Sequence, residues 1–340
     1  AIRSIIGPLV VRRSRLDLQN IPDYAKDLKR QKIQLVIPND PEELTYDLSQ
    51  MKDLYLNTLD RISKSEGSTD NITRFKAARY SPVLYVKKDM REQLAQELEE
   101  KTGIKFGLLI GRQTNVSSFM RHLLVSRFES SMAAFQTSLG YMIQSAEHLL
   151  TWIDKRHKIP VYKKGNLPEV DDFYTDDGME EIQETFDKYE SRGFFEIDMK
   201  YVEDNFIEDV KTDIHLLQSL REEWFGKENV IKQDPKLDSF IEIAKKKLKQ
   251  EPDRKLIVFS EYADTIDYLG KKLVEAGLPV MKYTSADASP NNKERIRANF
   301  DAGLKKELQR DDYKILVATD AISEGYNLHR AGAIFNYDIP

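Results

Sequence analysis

Three apolar segments in the last third of the sequence are each followed directly by a hydroxyl-bearing residue. Ser260 follows the first segment, Thr284 and Ser285 follow the second, and Thr319 follows the third. Hydroxyl groups and backbone amides at such positions can bind phosphate oxygens without selecting a nucleotide base. Parallel α/β sheets in general carry polar residues at their strand ends, so a purely structural role stays open for each residue. We therefore treat the four residues as candidates for phosphate contact.

The third segment leads into a turn that contains a glycine. Residues 317–328 read VATDAISEGYNL, so small residues follow the segment and Gly325 comes shortly after them. Glycine permits close backbone approach, and successive backbone N–H groups can surround an anion. The turn is therefore a candidate for nucleotide contact. The structural alternative for Glu324 is a solvated charge, and for Asn327 it is a side chain that caps a turn or helix.

The elements that would position these residues alternate between helix and strand. Short, continuously apolar runs after Gly226 are separated by amphipathic segments. This pattern is typical of an α/β fold with a parallel sheet, helices on both faces and ligands at the carboxyl ends of the strands. The predicted strands are 255–260, 279–284, 314–319 and 333–337, and the predicted helices are 239–249, 265–276 and 291–300.

The preceding part of the sequence predicts mainly helical structure. Apolar residues recur at steps of three and four along several segments, which is the pattern of helices with one buried face. We expect helices over 43–63 and 202–224, and one helix of about 45–50 Å over 125–153. The long helix should pack against the helix at 43–63 or against one near 89–102. A strand is expected over 32–37.

Charge is distributed unevenly along the chain. Residues 165–213 hold 17 acidic and 4 basic side chains, residues 1–164 hold 27 basic and 19 acidic ones, and residues 214–340 hold 21 of each. Because phosphate binding depends on local positive charge, the net charge of -5 does not exclude a nucleic-acid partner. We expect the acidic segment to be partly flexible and to compete with DNA for the basic surface.

Composition excludes several classes of site. The sequence has no cysteine, which excludes disulfides, thiolate zinc sites and cysteine nucleophiles. The five histidines lack metal-ligand spacing, so no metal held by protein ligands is expected. No apolar run reaches the roughly 18 residues of a membrane span, and residues 1–4 do not begin a signal peptide. The expected location is the cytoplasm, without a membrane partner.

The end of the sequence resembles a helicase family. The string ILVATDAISEGYNLHRAGAIFNYDIP, residues 315–340, resembles motif V and the following strand of superfamily-two helicases, most closely their Swi/Snf-type branch. Residues 254–262 (RKLIVFSEY) resemble motif IV, with residues 234–237 as its lead-in, and residues 8–13 resemble the segment that connects the two lobes. The resemblance implies a RecA-like second helicase lobe.

The resemblance also assigns roles to individual residues. It implies that Ser260, Thr284 and Thr319 contact the nucleic-acid backbone, and we add Ser285, Arg12 and Arg13 as candidate contacts. It implies that Glu324, Gly325 and Asn327 face the nucleotide between the two lobes. The expected organisation is a connector over 1–39, a helical insertion over 40–229 and the second lobe over 230–340.

Motifs that are absent limit the expected activity. The sequence has no GxxxxGK[ST] loop, because neither Gly226-Lys227 nor Gly270-Lys271 is followed by Ser or Thr, and it has no Asp-Glu pair. It also ends before motif VI. We therefore expect a fragment of a longer protein that uses ATP and Mg²⁺, whereas this polypeptide alone should neither bind nucleotide stably nor hydrolyse ATP.

The expected function is that of an ATP-dependent translocase on double-stranded DNA. Its expected partners are DNA, the first lobe of the same protein and, through the helical insertion, a further protein. One alternative is a non-enzymatic helical scaffold with a degenerate RecA-like domain, which an upstream GxxxxGK[ST] in the same reading frame would exclude. A Rossmann-type enzyme has less support, because no GxGxxG follows a strand and Gly107 to Gly111 have the wrong spacing.

Overall fold

The computed structural model describes residue 18 and residues 20–32, 39–63, 72–162, 194–322 and 325–338. The chain forms two compact units, Ala1–Thr45 and Tyr46–Pro340. In the first unit, helix α1 spans Pro22–Gln31, with proline at its start and basic residues in its last turn. Lys32 ends α1 in a left-handed conformation, and the rest of the predicted strand over 32–37 lies outside the described residues.

The second unit has a helical region, residues 46–233, and a sheet region, residues 234–338. The described elements of the helical region are α2 Lys52–Ser63, α3 Arg91–Thr102, α4 Phe106–Ser130, α5 Met132–Arg156, β1 Lys158–Tyr162, β2 Phe194–Asp198 and α6 Asn205–Phe225. Those of the sheet region are α7 Pro235–Gln250, β3 Lys255–Phe259, α8 Ala263–Glu275, β4 Val280–Tyr283, α9 Pro290–Phe300, β5 Ile315–Ala318 and β6 Ala331–Asn336. One compact unit therefore contains both the helical region and the sheet region.

Helix α2 begins at Lys52, so the predicted start near residue 43 is wrong. Residues 39–48 are not helical. The carboxylate of Asp47 accepts hydrogen bonds from the backbone N–H of Ser49 at 2.8 Å and from its hydroxyl at 3.0 Å. This local turn offers the backbone an alternative to helix just before α2, and an apolar stripe does not reveal it.

The predicted single helix over 125–153 is two helices, α4 and α5, separated by Ser131. This residue is extended, with φ −156° and ψ 158°, and its side chain accepts a hydrogen bond from the N–H of Ala134 at 3.0 Å. Ser131 is therefore the N-cap of α5 and ends the continuous helix. The apolar stripe nevertheless crosses the break, because the rings of Phe128 and Phe135 lie 4.6 Å apart.

The helices of this region surround one apolar core. Helices α2 and α3, the predicted partners of the long helix, pack against α4, which covers only residues 125–130 of the predicted helix. Helix α6 packs along α5 and brings the ring of Trp224 to within 5.1 Å of that of Phe128. The indole N–H of Trp224 donates a hydrogen bond of 2.8 Å to the hydroxyl of Thr58 in α2, so a polar contact also links these helices.

The acidic stretch 165–213 is only partly described by the structure. Residues 194–213 form β2, which pairs antiparallel with β1, then a short 3₁₀ turn and the first part of α6. Phe206 and Val210 of α6 are fully buried. Residues 194–213 are therefore folded and packed into the core, whereas residues 165–193 lie outside the described residues.

The sheet region has the predicted α/β fold. In the described residues its four strands are all parallel and lie in the order β4-β5-β3-β6. Leu256 and Val258 pack towards helices α7 and α8, whereas Leu316 and Ala318 pack towards α9 on the other face. The prediction of a parallel sheet with helices on both faces, together with a mainly helical region, is confirmed.

Asp213 is a buried carboxylate that supports the core of the helical region. Its two oxygens accept hydrogen bonds from the backbone N–H groups of Lys76 and Ala78, at 2.7 and 2.9 Å. Ala77 between them is left-handed, with φ 56°. Asp213 is 3 % exposed, and this burial raises its pKa to about 7 despite both hydrogen bonds.

This raised pKa predicts that stability falls as the pH rises. The folded state binds the proton more tightly than the unfolded state, so the stabilisation is complete below about pH 4 and is lost by about pH 7. We expect wild type to lose up to about 1.4 kcal/mol per pH unit in this window relative to Asp213→Asn. Urea unfolding of both proteins from pH 4 to 8 measures the free energy of unfolding at each pH. Parallel pH profiles of the two proteins would contradict a raised pKa of Asp213.

Candidate nucleic-acid interface

The parallel register brings three of the candidate residues into one row. Ala318 lies opposite both Phe259 and Tyr283, so the next residues, Ser260, Thr319 and Thr284, follow side by side at the carboxyl edge of the sheet. The backbone N–H of Ser260 donates to the carbonyl of Ala318, and that of Thr319 to the carbonyl of Tyr283, both at 3.2 Å. The hydrogen-bond ladder thus holds the row one residue beyond the strands.

The hydroxyl groups of this row are buried and bonded within the chain. Ser260, Thr284 and Thr319 are 4 %, 5 % and 0 % exposed. The Ser260 hydroxyl donates to Asp338 at 2.6 Å, and the hydroxyl of Thr319 accepts from the N–H of Ala321 at 3.4 Å. A ligand at this edge therefore has to displace internal partners to reach these hydroxyls.

Thr284 and Ser285 begin a short 3₁₀ turn, Ser285–Asp287. The N–H and the hydroxyl of Thr284 both donate to the carboxylate of Asp287 at 3.0 Å, as in a capping box. Ser285 itself is exposed. Of the two predicted contacts after β4, Ser285 is thus the one at the surface.

The turn after β5 is anchored by one aromatic side chain. The ring of Tyr326 packs 5.6 Å from that of Tyr283, and their hydroxyls are 2.8 Å apart. Burial, together with this hydrogen bond, raises the pKa of Tyr283 to about 12. Gly325, with φ 82°, and Asn327 flank Tyr326 and are exposed, while Glu324 lies outside the described residues, as do Arg12 and Arg13.

Carboxylates that the sequence did not single out also lie at this edge. The N–H of Glu261 donates to Asp338 at 2.6 Å. The pKa of Glu261 is raised, first by burial and then by the charges of Asp338 and Asp320. The edge is therefore locally acidic. The sequence around Asp338 does not reveal this acidic edge, because the contact between Asp338 and Glu261 depends on the pairing of β6 with β3.

A buried arginine connects the helical region to this edge. Arg127 of α4 is 3 % exposed, and its guanidinium donates to the carboxylate of Asp264 and, at 2.6 Å, to the hydroxyl of Ser138. It also lies 4.8 Å from the centre of the Tyr262 ring, two residues beyond Ser260. The position of this edge therefore depends on the packing of α4.

A lysine and a hydroxyl cluster complete the same junction. Lys236 donates to the backbone carbonyls of Glu129 and Ser130, both at 2.8 Å, and its burial lowers its pKa. The hydroxyl of Thr265 in α8 lies within 2.8 Å of those of Ser130 and Ser131. The charged groups of Lys236 and Arg127 are therefore hydrogen-bonded within the junction. They stabilise the contact between the two regions and are not exposed cations available to a phosphate.

Comparison with known proteins finds a family model that is similar to the sheet region. Residues 236–340 match the helicase conserved C-terminal domain. This helicase C-terminal segment contains the whole parallel sheet and the row of Ser260, Thr284 and Thr319. The predicted resemblance to helicases is thus confirmed for this part of the chain.

Other comparisons are more distant. A crystal structure of the Pyrococcus furiosus Hef helicase domain is similar at a TM-score of 0.45 and 15 % sequence identity, over 94 % of this chain and 52 % of that one. The present chain thus spans about half the length of that structure. No curated protein sequence matches the chain.

Two further properties concern the described residues only. None of their helices has both the length and the apolar character needed to cross a membrane. Within the same residues, no cluster of three or more histidine or acidic side chains is arranged to hold a metal ion.

Proposed function

We propose that the chain is part of a nucleic-acid-dependent ATPase of the superfamily-two helicase type, and that its sheet region contacts the nucleic-acid backbone. The observation that carries this proposal is the helicase C-terminal match over residues 236–340. The same residues form the sheet that aligns Ser260, Thr284 and Thr319 at one edge. Hydroxyl and amide donors in a row suit the repeating phosphates of a nucleic acid.

The finer proposal is a Swi/Snf-type translocase on double-stranded DNA. Its support is the resemblance of residues 254–262 and 315–340 to motifs IV and V of that branch. The junction around Arg127 adds a structural argument, because it fixes the helical region to the proposed DNA-contacting edge. We propose that the helical region binds DNA or a protein partner beside the sheet region.

ATP and Mg²⁺ are proposed as cofactors of the whole protein, in which ATP hydrolysis supplies the free energy for movement. The turn after β5 is the proposed nucleotide contact: Asn327 is exposed and, apart from its chain neighbours, no described residue has an atom within 4 Å of the position that a Cβ on Gly325 would take. The sequence has no phosphate-binding GxxxxGK[ST] loop and no Asp-Glu pair. We propose that a separate lobe of the same protein supplies both elements.

The proposal predicts that the chain binds duplex DNA irrespective of its sequence and hydrolyses no ATP by itself. Hydroxyl and amide donors carry no charge and displace few counterions, so the affinity that comes from this edge should change little between 50 and 200 mM salt. Fluorescence anisotropy with two labelled 30-bp duplexes of different sequence, and a phosphate-release assay with the same DNA, test both statements. No binding at 50 mM salt would contradict the nucleic-acid role, and ATP turnover would contradict the need for a separate lobe.

A pair of matched variants locates the binding surface. Ser285→Asp places a negative charge at the exposed carboxyl edge, whereas Gln250→Asp places the same charge at the end of α7, near the opposite edge. We expect Ser285→Asp to weaken DNA binding about fivefold, which corresponds to roughly 1 kcal/mol. Equal effects of the two substitutions would move the interface away from the carboxyl edge.

A further inference from the structure

Two hydrogen-bond donors at the end of β3 converge on one oxygen atom. The hydroxyl of Ser260 and the backbone N–H of Glu261 both donate to Oδ2 of Asp338, each at 2.6 Å. Short donor pairs of this kind are typical of sites that hold anionic oxygens. Here the anionic oxygen belongs to the chain itself, since Asp338 follows β6, the neighbour of β3 in the sheet.

The surroundings of Asp338 are poor for a permanently held carboxylate. Its other oxygen, Oδ1, is buried and has no hydrogen-bond partner in the described part of the chain. Leaving such an oxygen unpaired is unfavourable. Glu261 and Asp320 add negative charge nearby, and the Nζ of Lys236, whose charge interacts with Asp338, is hydrogen-bonded to backbone carbonyls of α4.

We propose that Ser260 Oγ and Glu261 N form a site for one phosphate oxygen of a nucleic-acid backbone, and that Asp338 occupies this site as an internal competitor. The inference rests on the proposed function and adds a regulatory role for Asp338. A phosphodiester oxygen accepts the same two hydrogen bonds as Oδ2, so an exchange conserves both donors. It also frees Oδ1 of Asp338 from a buried position in which no described residue pairs with it.

The competition accounts for the burial of the Ser260 hydroxyl, which is bonded to Asp338. Asp338 has to move before a phosphate can reach Ser260, so binding is weakened by the cost of releasing two charged hydrogen bonds. Removing the carboxylate should therefore strengthen binding instead of abolishing it. A residue that only positioned the Ser260 turn would have the opposite effect.

Four forms of the full chain test the inference: wild type, Asp338→Ala, Asp320→Ala and the double variant Ser260→Ala/Asp338→Ala. Asp320 is an exposed carboxylate at the same edge, so its removal controls for the lost negative charge. With a labelled 30-bp duplex at 50 mM salt, we expect Asp338→Ala to bind about tenfold more tightly than wild type. The gain in affinity should be no more than about twofold for Asp320→Ala. Most of the gain shown by Asp338→Ala should disappear in the double variant Ser260→Ala/Asp338→Ala.

A second measurement does not depend on affinity. Without DNA, hydrogen exchange at the amide of Glu261 should be slower in wild type than in Asp338→Ala, because Asp338 accepts its hydrogen bond. Adding the duplex to Asp338→Ala should restore the slow exchange. Asp338→Asn, which keeps the size of the side chain and one acceptor oxygen, should give intermediate results if Asp338→Ala folds poorly.

The possible results separate this inference from the proposed function. If wild type binds DNA but Asp338→Ala and Asp320→Ala gain equally, charge alone is responsible and the inference is wrong. Weaker binding by folded Asp338→Ala or Asp338→Asn would show a positioning role and would also overturn it. If none of the proteins binds DNA, the proposed function fails, and this inference fails with it.

Discussion

Replacing Arg127 with methionine is expected to lower the free energy of unfolding by roughly 3 kcal/mol. Methionine fills much of the same space but donates no hydrogen bond to Asp264 or Ser138. It also removes the positive charge that lies over the ring of Tyr262. The loss should be large because the guanidinium is almost fully buried at the junction between the two regions.

Tryptophan fluorescence can follow the helical region separately in this experiment. Both tryptophans of the sequence, Trp152 and Trp224, lie in helices α5 and α6. Urea unfolding by fluorescence and by circular dichroism should coincide in wild type and separate in Arg127→Met, because the junction no longer couples the regions. Coincident transitions with wild-type stability would contradict the role assigned to Arg127.

Lys272→Met is the matched control for this substitution. Lys272 lies on α8, as Asp264 does, and its ion pair with Glu275 is largely exposed, with side chains 39 % and 49 % accessible. Exposed ion pairs of this kind contribute little to stability. We expect the control to change the free energy of unfolding by less than about 0.5 kcal/mol.

Phe128→Ala is expected to destabilise the helical region by about 3–5 kcal/mol. The ring is 2 % exposed and contacts those of Tyr55, Phe135 and Trp224, with centroids 4.9, 4.6 and 5.1 Å away. Its removal leaves a cavity where the four helices α2, α4, α5 and α6 meet. Urea unfolding measures the loss, and the tryptophan emission should shift because the packing around Trp224 changes.

Leu108→Ala controls for the loss of an apolar side chain from the same helix, α4. Leu108 is 56 % exposed, so its truncation creates no buried cavity. We expect a change of less than about 0.5 kcal/mol. If Phe128→Ala were equally mild, the aromatic cluster would not be the centre of this core.

The sequence predicted the sheet region well because its signals are local. Continuous apolar runs identified β3 to β6, and the residues that follow them, such as Thr319, came together because parallel strands share an edge. The N-cap of helix α7 was not predicted from the sequence. Asp234 accepts from the N–H of Leu237 at 3.0 Å, so this helix starts at Pro235 and not at residue 239.

Other features depend on contacts between distant segments, which one sequence does not reveal. Periodicity did not show the break at Ser131, because a single extended residue leaves the apolar stripe almost unchanged. The contacts of Arg127 with Asp264 and of Ser260 with Asp338 join segments that meet only in the folded chain. The structure therefore places the candidate hydroxyls at the carboxyl ends of the strands, as expected, whereas their internal partners were not foreseen and their contact with a nucleic acid stays a prediction.

The strand order bears on how the protein is made. Strand β3 lies between β5 and β6, and both of these neighbours are encoded after it, with β4 and two helices in between. During synthesis on the ribosome, the apolar residues of β3 therefore stay unpaired until β5, which begins at residue 315, has emerged. Strand β6, the second neighbour of β3, follows only from residue 331. Such non-local pairing slows folding and leaves the apolar residues of β3 exposed for longer than those of a strand that pairs with its predecessor.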